Sequence, residues 1–269
     1  MNRKPVVAGQ FYPGSASALQ EQIRDFMAEA PNRDAAPSLL AMVPHAGYVF
    51  SGGVCGKTLG AANLRPLVVM LGPNHTGRGQ PLAVWPEGRW ETPDGGLMVD
   101  ETVAQAVIDA GAGFAADTAA HLQEHSLEVV VPFLRALDPN TRIAPIAVSL
   151  PDPDRLMEAG RTLARTLQAL DAPFSIVVSS DMSHYVPAER ARTQDAKALE
   201  AVERLDPAGL FATVRDQDIS MCGVMPMTMG LAAANELGAS KARVVDYATS
   251  GDVNRDYTRV VGYAGVIVQ

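Results

Sequence analysis

Hydrophobic residues follow two rhythms along this chain. Short, nearly unbroken apolar runs at residues 38–44 (SLLAMVP), 66–71 (PLVVML), 142–150 (RIAPIAVSL) and 174–179 (FSIVVS) read as strands buried on both faces. Between them, residues 15–30 place Leu19, Ile23, Phe26 and Met27 on one helical face, and residues 152–170 do the same with Leu156, Ala159, Leu163, Ala164 and Leu167. Helices are also predicted over 100–110, 124–137, 187–204, 207–215 and 222–237, and the small-residue stretch SGGVCGKTLGAANL suits a helix packed closely on a sheet. Residues 80–100, rich in Pro, Gly and Trp, read as a hairpin excursion placed to wall a pocket. Two further strands, 242–248 and 259–268, form an antiparallel addition. The alternation predicts an α/β fold, a single domain with a central, mostly parallel or mixed sheet flanked by helices.

Three of the five histidines stand just past these runs, where open α/β sheets bind ligands: His45, His75 and His184. Glycines and turn residues in PHAGYVFSGG and LGPNHTG present His45 and His75. In SSDMSHY, Asp181 lies three residues before His184 and suits either orientation of the imidazole for acid/base work or the capping of a following helix. In EHSLE, Glu124 and Glu128 share a helical face, a solvated helix start, with His125 offset from them; His121 reads as a surface residue. Cys222, in SMCGVMP, stands at the amino end of a helix whose dipole favours a thiolate, whereas Cys55 reads as inert. Two histidines and a thiolate make a three-ligand site for iron, copper or zinc; a nucleophilic Cys222 paired with a histidine is the competing reading.

Composition narrows the options. The chain has 269 residues, 47% of them hydrophobic, and a formal charge of −8 with no Lys/Arg cluster, which excludes nucleic acid as a partner. No apolar stretch approaches the roughly 18 residues of a membrane helix, and the first residues lack the apolar core of a secretory signal, so a cytoplasmic protein without a membrane segment is expected. Two cysteines are too few for a disulfide framework.

In order along the chain, AGQFYPGS, PHAGYVFSGG, LGPNHTG, EHSLEVVVPFL, SSDMSHY, MCGVMP and YAGVIV resemble the motif series of the Memo family, whose prokaryotic members are called AmmeMemoRadiSam system protein B. The resemblance covers residues 8–268 and implies an extradiol-dioxygenase-like fold with a metal pocket at one sheet edge. By it, His45, His75 and Cys222 match the metal ligands. His184, Asp181 and His125 match further pocket residues, His184 at the position resembling the dioxygenases' acid/base histidine. Those dioxygenases use a carboxylate where Cys222 stands, and Val130 occupies a position where a polar residue is expected. The resemblance implies a non-haem metal-dependent redox enzyme, using iron(II) or copper, acting on a small-molecule or peptide substrate and linked to radical-SAM and AMMECR-type proteins. The alternatives are a catalytically silent peptide- or protein-binding adaptor and a metal-sequestering protein.

Overall fold

In the computed structural model, which describes residues Met1–Gln269, each long apolar run becomes a strand. From the amino end the chain forms β1 (Asn2–Arg3), α1 (Ala16–Ala28), β2 (Leu40–Val43), α2 (Tyr48–Ala61) and β3 (Leu67–Pro73). Three short strands follow, β4 (Leu82–Val84), β5 (Arg89–Trp90) and β6 (Leu97–Val99), then α3 (Glu101–Asp109), β7 (Phe114–Ala116), α4 (Val131–Leu137) and β8 (Arg142–Val148). The remainder comprises α5 (Pro153–Ala169), β9 (Phe174–Ser179), β10 (Asp181–Val186), α6 (Ala188–Glu203), α7 (Pro207–Asp216), α8 (Val224–Glu236), β11 (Ala242–Thr249), α9 (Ser250–Asn254) and β12 (Val260–Val268).

All twelve strands join one mixed sheet, whose main path runs β1-β5-β6-β8-β3-β9-β2-β12-β10. Its middle, β8-β3-β9-β2, is parallel in perfect register, Val69 facing Ala144 on one side and Ile176 on the other. Every residue of β2 and β3 is buried, as expected for strands covered by helices on both faces. The carboxyl-terminal pair is the expected antiparallel addition, with β12 between β11 and β2. No helix is long and apolar enough to cross a membrane.

Helix α2 packs closely on the sheet as expected, a Cβ at Gly265 of β12 colliding with Thr58, and its glycines admit a second neighbour: a Cβ at Gly52 or Gly56 would collide with Phe26 of α1, and one at Gly60 with Ala30. These positions are four apart and so form one stripe. Three expectations need correction. Residues 124–127 are not helical; a 3-10 turn at Glu128–Val130 leads into α4, which starts where Pro132 can occupy the first turn without needing an amide hydrogen. Glu124 and Glu128 are accordingly buried, at 3% and 1% exposure, not solvated. His121 is fully buried rather than on the surface, its Nε2 donating to the Ala83 carbonyl at 2.9 Å between the rings of Trp85 and Trp90. Finally, SSDMSHY continues as strand β10, so Asp181 caps no helix.

Candidate metal centre

Three adjacent parallel strands, β3, β9 and β2, deliver their carboxyl ends to one crevice, the position at which such sheets bind ligands. His45 follows β2, His75 follows β3, and Ser179 ends β9. The loop before α4 adds Glu124 and His125 from above, and the turn before α8 adds Cys222. The ring centroids of His45, His75 and His125 lie 5.0–5.6 Å apart, and one nitrogen of each falls within 4.8 Å of the others. Cys222 Sγ approaches His45 Nε2 to 3.2 Å.

Hydrogen bonds decide which nitrogen each ring offers. The Ser179 hydroxyl gives its only proton to the Ser126 carbonyl at 2.7 Å, so at 2.5 Å it accepts from His45 Nδ1–H. That leaves the Nε2 lone pair facing the crevice. His75 Nδ1–H donates to Glu124 Oε1 at 2.9 Å, which frees its Nε2 in the same way. Both tautomers suit metal ligation, because the second-shell oxygen orients the ring and raises its basicity.

Charge follows from burial. Burial, then repulsion from His75 and His125, pushes His45 well below the ordinary imidazole value, and burial lowers His125 as well. Burial acts on His75 too, but the bond to Glu124 outweighs it and raises His75. Burial would raise Glu124; the His75 bond and charge, the Ser126 amide and nearby His125 instead hold it at about 2. The result is an anion beneath three imidazoles.

The environment of Cys222 departs from expectation. Helix α8 starts only at Val224, so the thiol stands two residues before it, and burial followed by the Asp181 charge pushes its pKa well above the usual range. The helix dipole does not produce a thiolate here.

Asp181 and His184 also stand differently. Asp181 Oδ1 accepts from the His45 amide at 2.8 Å, and burial raises this carboxyl. The half-buried His184 ring is oriented by the Ser220 carbonyl, 2.9 Å from Nδ1, rather than by Asp181. Sequence reasoning missed Ser126, Ser179, Ser220 and Arg3. Arg3 is 1% exposed and binds the carbonyls of His121 and Glu124 and the carboxylate of Glu128. Ser179 had a usable signal, a hydroxyl at the end of a buried strand; Arg3 and Glu128, 125 residues apart, had none.

These features define an α/β protein with a histidine cluster suited to a metal ion at the strand ends. The chain belongs to the Memo family: the model of the Memo-like protein family matches residues 3–267. A MEMO1 family protein of Aquifex aeolicus (strain VF5) is 41% identical over 266 residues, 98% of each chain. Those of Methanopyrus kandleri and Methanosarcina barkeri are each 36% identical, over at least 99% of both chains.

Proposed function

We propose that this protein is a metal-dependent redox enzyme that holds iron(II) or copper through His45, His75 and Cys222 and acts on a small molecule, as the dioxygenase-like resemblance implies. The observation that carries the reading is the pair of preset tautomers: Ser179 and Glu124 each hold an Nδ1–H, which leaves the Nε2 lone pairs of His45 and His75 to the crevice, that of His45 3.2 Å from the Cys222 sulfur. Imidazole and thiolate together suit iron, copper and zinc. When bound, iron or copper would supply the one-electron chemistry that no side chain here provides.

The chain's own residues supply the rest. Taking up a cation displaces the Cys222 proton, so binding strengthens as pH rises. His125, stacked on His75 at 5.0 Å, stands as a neutral imidazole over the crevice for substrate to bond. His184 donates Nδ1–H to Ser220, which leaves its Nε2 to accept a proton from substrate. Asp181, within the same pocket, fixes the turn that carries His45.

Metal analysis tests the reading. Protein purified without oxygen and without a histidine tag is expected to carry near-stoichiometric iron or copper, lost in His45→Ala, His75→Ala and Cys222→Ala and retained in His125→Ala. Wild type that stays empty after supplementation with iron, copper and zinc overturns the metal centre. Wild type that takes only zinc overturns the redox part.

A further inference from the structure

Asp181 and His184 are three residues apart on one strand, and in a regular strand such residues point to opposite faces. Here they do not. Asp181 pairs with Tyr263 of β12 and His184 with Val261, so three steps on β10 match two on its partner. A one-residue bulge has been inserted, and it brings both side chains onto the same face. A second irregularity follows at Tyr185, whose φ of 58° lies in the left-handed region.

A bulge takes amides out of the ladder, and each must find another acceptor. The His184 amide donates to Ser220 Oγ at 2.7 Å. The Ser183 amide donates to Asp195 Oδ1 at 3.0 Å, and the Ser183 hydroxyl donates to the same oxygen at 2.6 Å. Asp195 Oδ2 accepts from the Tyr247 hydroxyl at 2.7 Å, so both carboxylate oxygens are occupied. Asp195 is fully buried on α6, and no Lys or Arg pairs with it. The strand opposite makes room: a Cβ at Gly262 would collide with the Asp195 carboxylate and stand 3.0 Å from the Tyr247 hydroxyl. A buried carboxylate without a counter-ion is costly, and its hydrogen bonds go to the bulged residue and to the tyrosine that steadies it.

We propose that Asp195, steadied by Tyr247, is a positioning residue: it clamps the bulge that puts Asp181 and His184 on one face of the pocket. The consequence for chemistry rests on the metal-dependent reading above; the clamp itself does not. Its action is indirect. Asp195 touches neither the histidine cluster nor His184, and it acts through the Ser183 backbone.

The test reads the His184 ring in metal-free protein. Nitrogen chemical shifts of the neutral imidazole identify its tautomer, and amide exchange reports on Ser183. Wild type is expected to show the Nδ1–H form and a slow Ser183 amide. Asp195→Ala is expected to release the ring to mixed tautomers and to speed Ser183 exchange roughly tenfold or more. Asp195→Asn, whose oxygen can still accept both Ser183 bonds, is expected to restore the wild-type pattern. Leu163→Ala, a core change on α5, lowers stability without moving the tautomer. An unchanged tautomer and a slow Ser183 amide in folded Asp195→Ala overturn the proposal. Should Asp195→Ala fail to fold, Ser183→Ala and Tyr247→Phe decide: a tautomer change in either supports the clamp, and the wild-type pattern in both overturns it. Metal content measured on the same preparations separates the two failures, since an empty site with an intact clamp defeats only the enzyme reading.

Discussion

The Glu124 carboxylate takes four hydrogen bonds, from the amide and ring of His75 and from the amides of His125 and Ser126. Charge and geometry therefore meet in one side chain, which fixes one ring's tautomer and the course of the loop carrying another. Glu124→Gln keeps the shape but removes the charge, and an amide can present its NH2 group to a ring that needs an acceptor. Zinc titration of the metal-free protein is expected to show affinity weakened by roughly 10–100-fold, the usual cost of losing such an outer partner. Unchanged affinity would show that His75 is not oriented for a metal. His45, His75, Asp181 and His184 are legible as a pocket because strand-end positions are read directly from apolar runs. Glu124 is misread because a carboxylate four residues before another, next to an apolar stretch, has the same pattern as a solvated helix start; only the fold brings His75 to it.

Two elements set the shape of the pocket, one lining it and one bracing it from outside. Strand β10 is invisible in the apolar pattern because its residues, DMSHYV, pair irregularly and carry polar side chains on the pocket face. The amino-terminal strand β1 is two residues long, yet it is anchored because Arg3 reaches the buried Glu128 carboxylate at 2.7 Å with its ring-facing side 4.4 Å over Trp90. Glu128 also accepts from the amides of Val6 and Val7 and from the Tyr12 hydroxyl. This strap braces the loop of Glu124 and His125 from behind, and Phe11 packs edge-on against His125 at 4.9 Å. The Trp-rich excursion of residues 80–100 takes part in this brace instead of walling the crevice. Arg3→Ala leaves the buried Glu128 side chain without its cation partner and is expected to cost about 3–5 kcal/mol in urea unfolding. The double variant Arg3→Met, Glu128→Gln is expected to recover part of that loss, because the neutral amide removes the uncompensated charge while its oxygen still accepts from Val6, Val7 and Tyr12.

At the scale of the molecule, burial of neutral imidazoles ties stability to pH. His45, His121 and His125 are all lowered by burial, His121 to about 4, so between the ordinary value of 6.5 and their folded values the unfolded chain binds more protons. Stability therefore falls as pH falls through this window. His75, which is raised, acts in the opposite sense, its contribution complete below 6.5 and lost as pH rises through its folded value. Glu124 adds to the acid loss between 4.5 and about 2. For His121 alone the drop from pH 7 to pH 5 is about 2 kcal/mol. Urea midpoints of the metal-free protein should fall across that range, and by less in His121→Gln; equal slopes would show that His121 does not stay neutral. The parallel middle of the sheet is legible because both of its faces are apolar, whereas its order and the seat of β12 depend on pairings far apart in sequence. That seat carries a further consequence. Along one edge β12 pairs both with β2, which leads to His45, and with β10, which bears Asp181 and His184, yet it follows all of them in chain order. On the ribosome the loops of His45, His75, His125 and Cys222 thus all emerge before β12, and the nascent chain presents its imidazoles and its thiol to solvent while the crevice is still unformed. For the metal centre proposed above, loading of the finished crevice is then expected to follow synthesis, and the interval before β12 docks is when a wrong ion would be captured.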